Sequence, residues 1–135
     1  MCKIGEVVVV GGVRRSAMIS LSNINDIEMA AAKSGNWWEH NAQRSLANNS
    51  VAYSRKPEMA QFINEWKNLY DSKSGERGIY NVAAAQKQAS RWGRRSAEIH
   101  YGTNPCSEII LRPYQFCNLS EVVIRQDDTK ESISK

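Results

Sequence analysis

The chain has 135 residues, of which 41% are hydrophobic and 24% charged, and its formal net charge is +4. This composition is typical of one soluble globular domain with a modest core, and no apolar run reaches the length of a membrane span. The apolar stretch near the N-terminus is only four valines, too short for a secretory signal, so we expect a cytoplasmic location. The mild positive charge suits a phosphate-bearing ligand or nucleic acid, but an ordinary protein segment shows it too.

The first part of the chain predicts two strands and a helix. Residues 6–10 are a β-branched run closed by two glycines, which is typical of a buried strand entering a tight turn. Residues 16–21 alternate between small or polar and apolar side chains, which indicates a second strand. Residues 22–25 offer N-cap chemistry for an alanine-rich helix over 26–33. Four consecutive valines require partner strands, so we expect the chain to be a piece of a larger sheet.

The remaining segments continue this alternation of strands and helices. They are predicted as an irregular stretch over 36–46, a strand over 49–54, a helix over 57–70, a second helix over 79–88, strands over 107–111 and 121–125, and a frayed tail over 126–135. The helix over 57–70 has an apolar face formed by Met59, Phe62, Ile63, Trp66, Leu69 and Tyr70. Strands that alternate with helices favour an α/β architecture, with the whole of 1–135 as part of one domain.

Two of the three cysteines, Cys106 and Cys117, stand eleven residues apart. A chain with no export signal and an odd number of cysteines favours free thiols over a disulfide framework. The spacing is not that of a zinc knuckle or a CxxC redox pair. Zinc needs about four ligands, and only His40 and His100 could join the cysteines, so we expect no metal site.

A possible catalytic group surrounds the first of these thiols. Pro105 fixes its own φ and disfavours the helical region for Asn104, so Cys106 lies in a rigid, non-helical segment. If the backbone is extended, Asn104, Cys106 and Glu108 point to the same side. An amide can orient hydroxyl groups, a carboxylate can take a proton, and a thiol can do nucleophilic or radical chemistry. The alternative is that Cys106 is a small buried hydrophobe and Glu108 is solvated.

Residues 104–109 and 116–122 resemble the ribonucleotide reductases, in particular the adenosylcobalamin-dependent (class II) ribonucleoside-triphosphate reductases. Residues 8–17, 46–51 and 74–78 also resemble segments of that family, in the family's order. The resemblance covers nearly the whole chain, about residues 3–125.

The resemblance implies a fold and a set of site residues. The fold is a ten-stranded α/β barrel, of which this chain is a partial segment that includes the finger loop, about residues 102–109. Cys106 would become a thiyl radical and abstract the 3′ hydrogen of the ribose. Glu108 would act as base on the 3′ hydroxyl, and Asn104 would hydrogen-bond the substrate's hydroxyls. Cys117 would be one of two thiols that reduce the 2′ position and end as a disulfide.

A second loop would couple an effector to the choice of substrate. By resemblance this specificity loop spans 11–16 and consists of Gly11, Gly12, Val13, Arg14, Arg15 and Ser16. Paired glycines allow positive φ, and arginines can reach phosphate or base edges, yet the residues alone also describe a turn with a solvated basic tip. Asn48, Asn49 and Ser50 line the site or cap a strand, and both interpretations stay open.

The resemblance also implies a cofactor and partners. Adenosylcobalamin would supply the radical and would be bound mainly by regions outside this chain. The partners would be a ribonucleoside triphosphate substrate, a deoxynucleotide effector, a thioredoxin-type reductant and the rest of the reductase polypeptide. The second reducing thiol is expected elsewhere, because Cys2 lies too close to Arg14 to be the upstream partner. We therefore expect about a fifth of a catalytic subunit, inactive as an isolated chain.

Two alternatives remain open at this stage. One is a segment of a class I enzyme, in which an iron or manganese partner subunit supplies the radical. The other is a non-catalytic nucleotide- or nucleic-acid-binding module. The basic pairs Arg14-Arg15 and Arg94-Arg95 support this alternative. That module would leave Cys106 and Cys117 without a role, and the chain has no recognisable nucleic-acid-binding signature.

Overall fold

The computed structural model describes residues 1–10 and 17–134. The described residues form a mixed α/β fold, so the predicted α/β architecture is confirmed. The elements in chain order are α1 (Cys2–Val10), β1 (Met18–Ser22), α2 (Ile27–Ala30), α3 (Trp37–His40), a 3-10 helix (Ala42–Leu46), β2 (Ala47–Tyr53), α4 (Met59–Ser72), β3 (Gly78–Asn81), α5 (Val82–Ser90), β4 (Gly102–Thr103), β5 (Ile110–Leu111) and α6 (Lys130–Ile133).

The centre of the fold is a parallel sheet with the strand order β1-β2-β3. Ser20 of β1 lies beside Asn49 of β2, and Ala52 of β2 lies beside Tyr80 of β3. Parallel neighbours need crossover connections, which here contain α2 and α3 in the first case and α4 in the second. A second sheet is the antiparallel pair β4-β5. The ten-stranded barrel stays a prediction.

The central strand β2 has two different faces because successive side chains point to opposite sides. One face is buried and consists of Ala47, Asn49, Val51 and Tyr53. The opposite face consists of Asn48, Ser50 and Ala52, of which Asn48 is exposed and the other two are partly buried. These two faces decide which candidate residues can reach the β4-β5 hairpin.

A small apolar core joins the sheet to that hairpin. Tyr80, Val82 and Ala85 form its buried centre, and Leu21, Ala52 and Ile110 pack against it. The hydroxyl of Tyr80 donates to the backbone carbonyls of Tyr101 and Gly102 at 3.3 and 3.2 Å. Tyr101 itself is fully buried. The hairpin is therefore fixed against the Asn48 face of the sheet.

The other side of the sheet is held by a buried arginine. Arg77 makes two bonds to the carboxylate of Glu65, at 2.7 and 2.9 Å. Its remaining donors bind Ser22 Oγ at 2.8 Å and the carbonyls of Asn23 and Ile24 at 3.1 Å each. All five N–H groups of the guanidinium thus have acceptors, which is what a buried charge needs. This network joins α4 to the end of β1 through the residue just before β3.

The preceding residue, Glu76, makes a second polar link. Its carboxylate pairs with the buried Lys33 at 2.7 Å and accepts a bond of 2.7 Å from the backbone N–H of Asn49. The same Lys33 ammonium donates to the carbonyl of Ala47 and lies 5.5 Å from the ring centre of Trp37. Glu76 therefore links Lys33, which precedes α3, to the start of β2.

The strand predicted over residues 6–10 is wrong. The chain forms α1 there, and the backbone N–H groups of Ile4 and Gly5 bond to the carbonyl of Met1. Valine costs only a few tenths of a kcal/mol in a helix, whereas a strand needs a neighbour for its backbone groups. A helix satisfies those groups within one segment, so the valine run does not establish a larger sheet.

The helix predicted over residues 79–88 begins too early. Ile79 and Tyr80 belong to β3, where they pair with Val51 and Ala52. The side chain of Asn81 then caps α5 by accepting from the N–H of Ala84 at 2.9 Å. Pairing with β2 therefore keeps Ile79 and Tyr80 in a strand, and the cap at Asn81 begins the helix at Val82.

Two predictions near the C-terminus also differ from the structure. The strand predicted over 121–125 is irregular, and Val122, Val123 and Ile124 are 69 to 75% exposed. Among the described residues it finds no strand to pair with. The tail predicted to be frayed contains α6, where Thr129 and Ser132 form reciprocal capping bonds.

The amphipathic helix α4 is present, but its apolar stripe faces outward. The exposed fractions of its largest outward side chains are 69% for Met59, 56% for Ile63, 53% for Trp66 and 80% for Tyr70. Its buried residue is Glu65, because the pair with Arg77 turns that side of the helix toward the sheet. None of the helices among the residues described has both the length and the apolar character to span a bilayer.

Candidate functional site

The predicted finger loop is the tip of the β4-β5 hairpin. Gly102 pairs with Leu111 and Thr103 with Ile110. The strands end there because residues 104–107 form a tight turn, in which the N–H of Ser107 donates to the carbonyl of Asn104 at 3.0 Å. The hairpin therefore presents the segment 105–108 at its tip, away from the core that holds its base.

Asn104 holds this tip together. It is only 7% exposed, and its backbone N–H donates to the carbonyl of Ile109 at 3.2 Å. Its side-chain Oδ1 accepts from the N–H of Ile109 at 3.1 Å, so a side chain completes the last rung of the ladder. In the described part of the chain no acceptor takes the Nδ2 group of Asn104, which leaves a donor next to the tip. Sequence reasoning gave Asn104 a substrate role and missed this structural one.

Cys106 and Glu108 lie on the tip, and both are exposed. The expectation that they point the same way rested on an extended backbone. That condition does not hold, because Ser107 between them has a φ of 66°, in the left-handed region. The structure thus presents both groups at one loop by a turn, and their joint action on one substrate stays a prediction.

The two asparagines of β2 differ in their relation to the tip. Asn48 Nδ2 donates to the carbonyl of Pro105 at 2.7 Å. Ser50 lies on the same face of β2, whereas Asn49 lies on the opposite, buried face. Asn49 lines a separate cavity of about 400 Å³ with Met18, Met29 and other residues. The structure therefore brings Asn48 to the Cys106 loop and places Asn49 away from it.

Cys117 lies in an irregular, exposed stretch that follows β5. Cys2, Cys106 and Cys117 are all free thiols in the structure. Cys2 is half-buried near the start of α1, with its Sγ 3.9 Å from Met18 Sδ. The predicted reducing role of Cys117 needs a second thiol, and the described residues contain no thiol bonded to it.

The predicted specificity loop, residues 11–16, lies outside the described residues. The roles predicted for Gly11, Gly12, Val13, Arg14, Arg15 and Ser16 therefore stay predictions. No cluster of three or more His, Cys, Asp or Glu side chains with metal-binding geometry occurs within 1–10 and 17–134.

A charged pocket lies beside the hairpin tip. Its volume is about 600 Å³, and its wall includes Arg94, Arg95, Glu108 and Arg112. Arg95 is positioned by a bond of 2.9 Å from its guanidinium to the carbonyl of Ile110. The paired arginines are visible in the sequence as a basic stretch, but Arg112 is not, because only the hairpin brings residue 112 back beside 94 and 95.

Two buried tyrosines have perturbed acidity. Burial raises the pKa of Tyr53, the nearby Glu65 carboxylate raises it further, and Arg77 lowers it. Burial alone raises the pKa of Tyr80. Both phenols are therefore held neutral, and neither serves as an ionised catalytic group in the neutral range.

Comparison with known proteins gives relatives of one kind. The chain is 36% identical over 122 residues to an adenosylcobalamin-dependent ribonucleoside-triphosphate reductase of Lacticaseibacillus paracasei. It is 34% identical to the reductases of the same description from Lactobacillus gasseri, over 126 residues, and Lactobacillus leichmannii, over 128 residues. Each match covers 88% of this chain and 16% of the relative, so the chain spans about one sixth of the length of the curated relatives it matches.

Two further comparisons give no match. No family model matches the chain, and no solved structure matches it. The curated reductases named above show that the chain is homologous to one segment of these enzymes.

Proposed function

We propose that this chain, a homologue of one segment of the adenosylcobalamin-dependent ribonucleoside-triphosphate reductases, carries the radical-forming thiol of such an enzyme. The reaction would convert ribonucleoside triphosphates to 2′-deoxyribonucleotides. The observation that carries the proposal is the hairpin tip, where Cys106 and Glu108 are exposed and Asn104 is fixed beneath them. A radical thiol must reach its substrate while its backbone stays in place, and this arrangement supplies both.

Each residue of the tip has a role that its chemistry allows. A thiyl radical on Cys106 takes the hydrogen atom from the 3′ carbon of the ribose. The Glu108 carboxylate accepts the proton of the 3′ hydroxyl, and the Nδ2 group of Asn104 donates to a ribose hydroxyl. The radical at the neighbouring carbon lets the 2′ hydroxyl leave as water, which an intact ribose would not allow.

The electrons for this reduction come from two thiols. Cys117 is proposed as one of them, with the second supplied by another part of the reductase polypeptide. Their two hydrogen atoms replace the lost hydroxyl and complete the water molecule, and the two sulfurs end as a disulfide. A thioredoxin-type reductant would then restore the thiols. The exposure of Cys117 supports this role, because its sulfur is accessible to both substrate and reductant.

The described residues include a thiol that could receive a radical from adenosylcobalamin, but no pocket that suits the cofactor itself. When bound, the cofactor supplies the radical for the reaction. The exposed thiol of Cys106 would receive it. The pocket beside the hairpin is lined by several guanidinium groups, which do not suit a large, flat macrocycle, so we propose no residue of this chain as its ligand.

The remaining predictions follow from the same proposal. Residues 11–16 would form the specificity loop that responds to a deoxynucleotide effector. The three parallel strands and the hairpin would be part of the ten-stranded barrel, completed by the rest of the polypeptide. The outward apolar stripe of α4 supports such further packing, since four large side chains there are more than half exposed.

The test is a segment exchange in a relative of known activity. The matching segment of the Lacticaseibacillus paracasei reductase is replaced by this chain, and the reduction of ribonucleoside triphosphates is measured with added adenosylcobalamin. The proposal expects activity that Cys106→Ser abolishes and Cys2→Ser leaves unchanged. A second exchange limited to residues 102–111 covers the case in which the larger one does not fold. Activity that survives Cys106→Ser in either exchange would overturn the assignment.

A further inference from the structure

Sulfur-bearing side chains from three separate elements meet at one cavity beside the central sheet. The cavity has a volume of about 400 Å³, and Cys2 of α1, Met18 of β1 and Met29 of α2 all line it. It lies on the Asn49 face of β2, opposite the face that contacts the hairpin tip. The radical chemistry proposed at that tip therefore makes no use of these sulfurs.

The sheet and the first helix bring the sulfurs together. Met18 lies beside Ala47 in the parallel pairing of β1 with β2, and Ala47 forms part of the cavity wall. Cys2, at the start of α1, reaches this strand, since its Sγ lies 3.9 Å from Met18 Sδ. All three sulfur side chains are half-buried, and the centre of the apolar core lies elsewhere, at Tyr80 and Val82. The sulfurs are thus accessible from the cavity.

The distance between the sulfurs of Cys2 and Met18 fits two ligands of one metal ion. Metal–sulfur bonds are about 2.3 Å long, so two sulfurs in a trigonal arrangement around one ion lie about 4 Å apart. The observed distance of 3.9 Å matches that value. Met29 lines the same cavity, and the flexible methionine side chain lets its sulfur reach the third corner of such a triangle.

The donor set indicates which metal the cavity suits. One thiolate and two thioethers are soft ligands, and soft sulfur ligands favour monovalent copper, Cu(I). Zinc is held by cysteine, histidine and carboxylate groups, and thioethers are not among its usual ligands. The single thiolate neutralises the single charge of Cu(I), which suits a half-buried site. Glu28 and Arg44 line the same cavity and carry opposite charges, so the wall adds no net charge.

We propose that Cys2, Met18 and Met29 form a three-coordinate site for Cu(I). The Cys2 thiol gives its proton to the solvent as the copper–sulfur bond forms, and no electron is transferred, because the metal enters and stays as Cu(I). Met1 also lines the cavity but is 82% exposed, so the site is assigned without it. The inference goes beyond ribonucleotide reduction, because no step of that reaction needs this metal.

The test measures Cu(I) affinity in the absence of oxygen, by competition with bicinchoninate, a chelator whose Cu(I) complex is coloured. The chain carries Cys106→Ser and Cys117→Ser, because those exposed thiols would also bind the metal. Met18→Leu and Met29→Leu should each weaken binding by about tenfold or more, since even the loss of a residue that only supports a metal ligand costs 10–100-fold. Met59→Leu, on the exposed stripe of α4, is the matched control and should leave the affinity unchanged.

Two further measurements keep the result interpretable. Leucine nearly conserves the volume of methionine, so urea denaturation of the metal-free variants should show that they are folded. X-ray absorption at the copper edge examines the site without any change to the methionines. We expect a shell of three sulfur neighbours at about 2.3 Å from the metal.

Three results would overturn the proposal. They are no Cu(I) binding by the chain that retains Cys2, equal affinities for the Met18→Leu/Met29→Leu variant and the Met59→Leu control, and nitrogen or oxygen neighbours in the absorption spectrum. Equal affinities would mean that the thiol binds copper without the methionines. The chain under test lacks the thiols assigned to the radical reaction, so a failed segment exchange and a failed metal titration are distinguishable.

Discussion

The side-chain amide of Asn48 donates a hydrogen bond of 2.7 Å to the carbonyl oxygen of Pro105. Asn48 belongs to β2 and Pro105 to the turn between β4 and β5, so this bond links the central parallel strand directly to the turn that presents Cys106. The turn has few other constraints on its outer side, because residues 106–108 are all exposed. The position of the thiol therefore depends on β2 as well as on the hairpin's own ladder.

We expect Asn48→Ala to loosen the hairpin tip. The loss of one hydrogen bond costs about 1 kcal/mol, which corresponds to roughly fivefold faster exchange of the Ser107 amide hydrogen if the turn opens locally. Hydrogen exchange followed by NMR measures this rate. Asn64→Ala, on the exposed side of α4, is the matched control and should leave the rate unchanged. An unaltered Ser107 rate in Asn48→Ala would show that the hairpin holds its tip alone.

The buried pair of Arg77 and Glu65 should contribute far more to stability than the exposed pair of Lys3 and Glu6. Glu65→Gln leaves a buried guanidinium without its counter-charge, and we expect a loss of about 3 kcal/mol in the free energy of unfolding. Lys3→Ala breaks a pair whose side chains are 75% and 45% exposed and should cost about 0.5 kcal/mol or less. Urea denaturation compares them, and similar losses for both variants would contradict the structure.

Several features of the fold could be predicted from the sequence, because they depend on residues that are close together in the chain. The alternating side chains over residues 16–21 and the segment 49–54 correctly indicated β1 and β2. Asp26 caps α2 by accepting from the N–H of Met29 at 2.9 Å, one residue after the segment 22–25 that was expected to supply the cap. These features depend on neighbours in sequence, so a pattern of a few residues contains the information.

Other features depend on residues that are distant in sequence. The valines before Gly11 have strand preference, but a strand forms only beside a partner. Trp66 and Tyr70 have core-forming side chains, yet the burial of Glu65 decides which side of α4 faces the sheet. A buried carboxylate is not predicted from a helical pattern, because its partner Arg77 lies twelve residues further along the chain.

The candidate site also combines features that the sequence predicts with features that depend on tertiary structure. The chemical types at Asn104, Cys106 and Glu108 were evident from the sequence, and the hairpin places them on one loop. The turn at Ser107 was not predicted, since a serine with positive φ is uncommon. Asn48 and Arg112 reach the region of the loop only through tertiary structure.

Gly78 and Ser50 should show compensating effects on stability. A Cβ atom at Gly78 would lie 2.9 Å from Ser50 Oγ, so Gly78→Ala forces the serine to move and should cost about 1 kcal/mol. Ser50→Ala removes that oxygen, and the double variant should recover the loss. Gly102→Ala is the control, because its Cβ would meet nothing within 4 Å. Alanine has fewer backbone conformations than glycine in the unfolded chain, so this variant should be more stable than the wild type by about 0.5 kcal/mol. Additive effects at residues 50 and 78, measured by thermal denaturation, would mean that the two side chains do not interfere.

Removing the hydroxyl group should change the stability of the chain in opposite directions at Tyr53 and at Tyr80. Among the described residues the buried hydroxyl of Tyr53 has no hydrogen-bond partner, whereas that of Tyr80 donates to two carbonyls. Tyr53→Phe should therefore raise the free energy of unfolding by about 1 kcal/mol, and Tyr80→Phe should lower it by a similar amount. Urea denaturation at pH 7 tests both, and a loss in Tyr53→Phe would mean that its hydroxyl has a partner.

The same two residues predict how stability depends on pH. Burial raises the pKa of Tyr53 and of Tyr80 in the folded chain, so folding favours their protonated forms. This contribution is fully present below the ordinary tyrosine pKa of about 10 and is lost as the pH rises through the higher pKa of the folded state. The wild-type chain should thus lose stability above about pH 10, and Tyr53→Phe should lose less, because one of the two groups no longer titrates. Denaturation midpoints measured from pH 8 to 11 give both slopes, and equal slopes would show that Tyr53 ionises as readily in the folded chain as in the unfolded one.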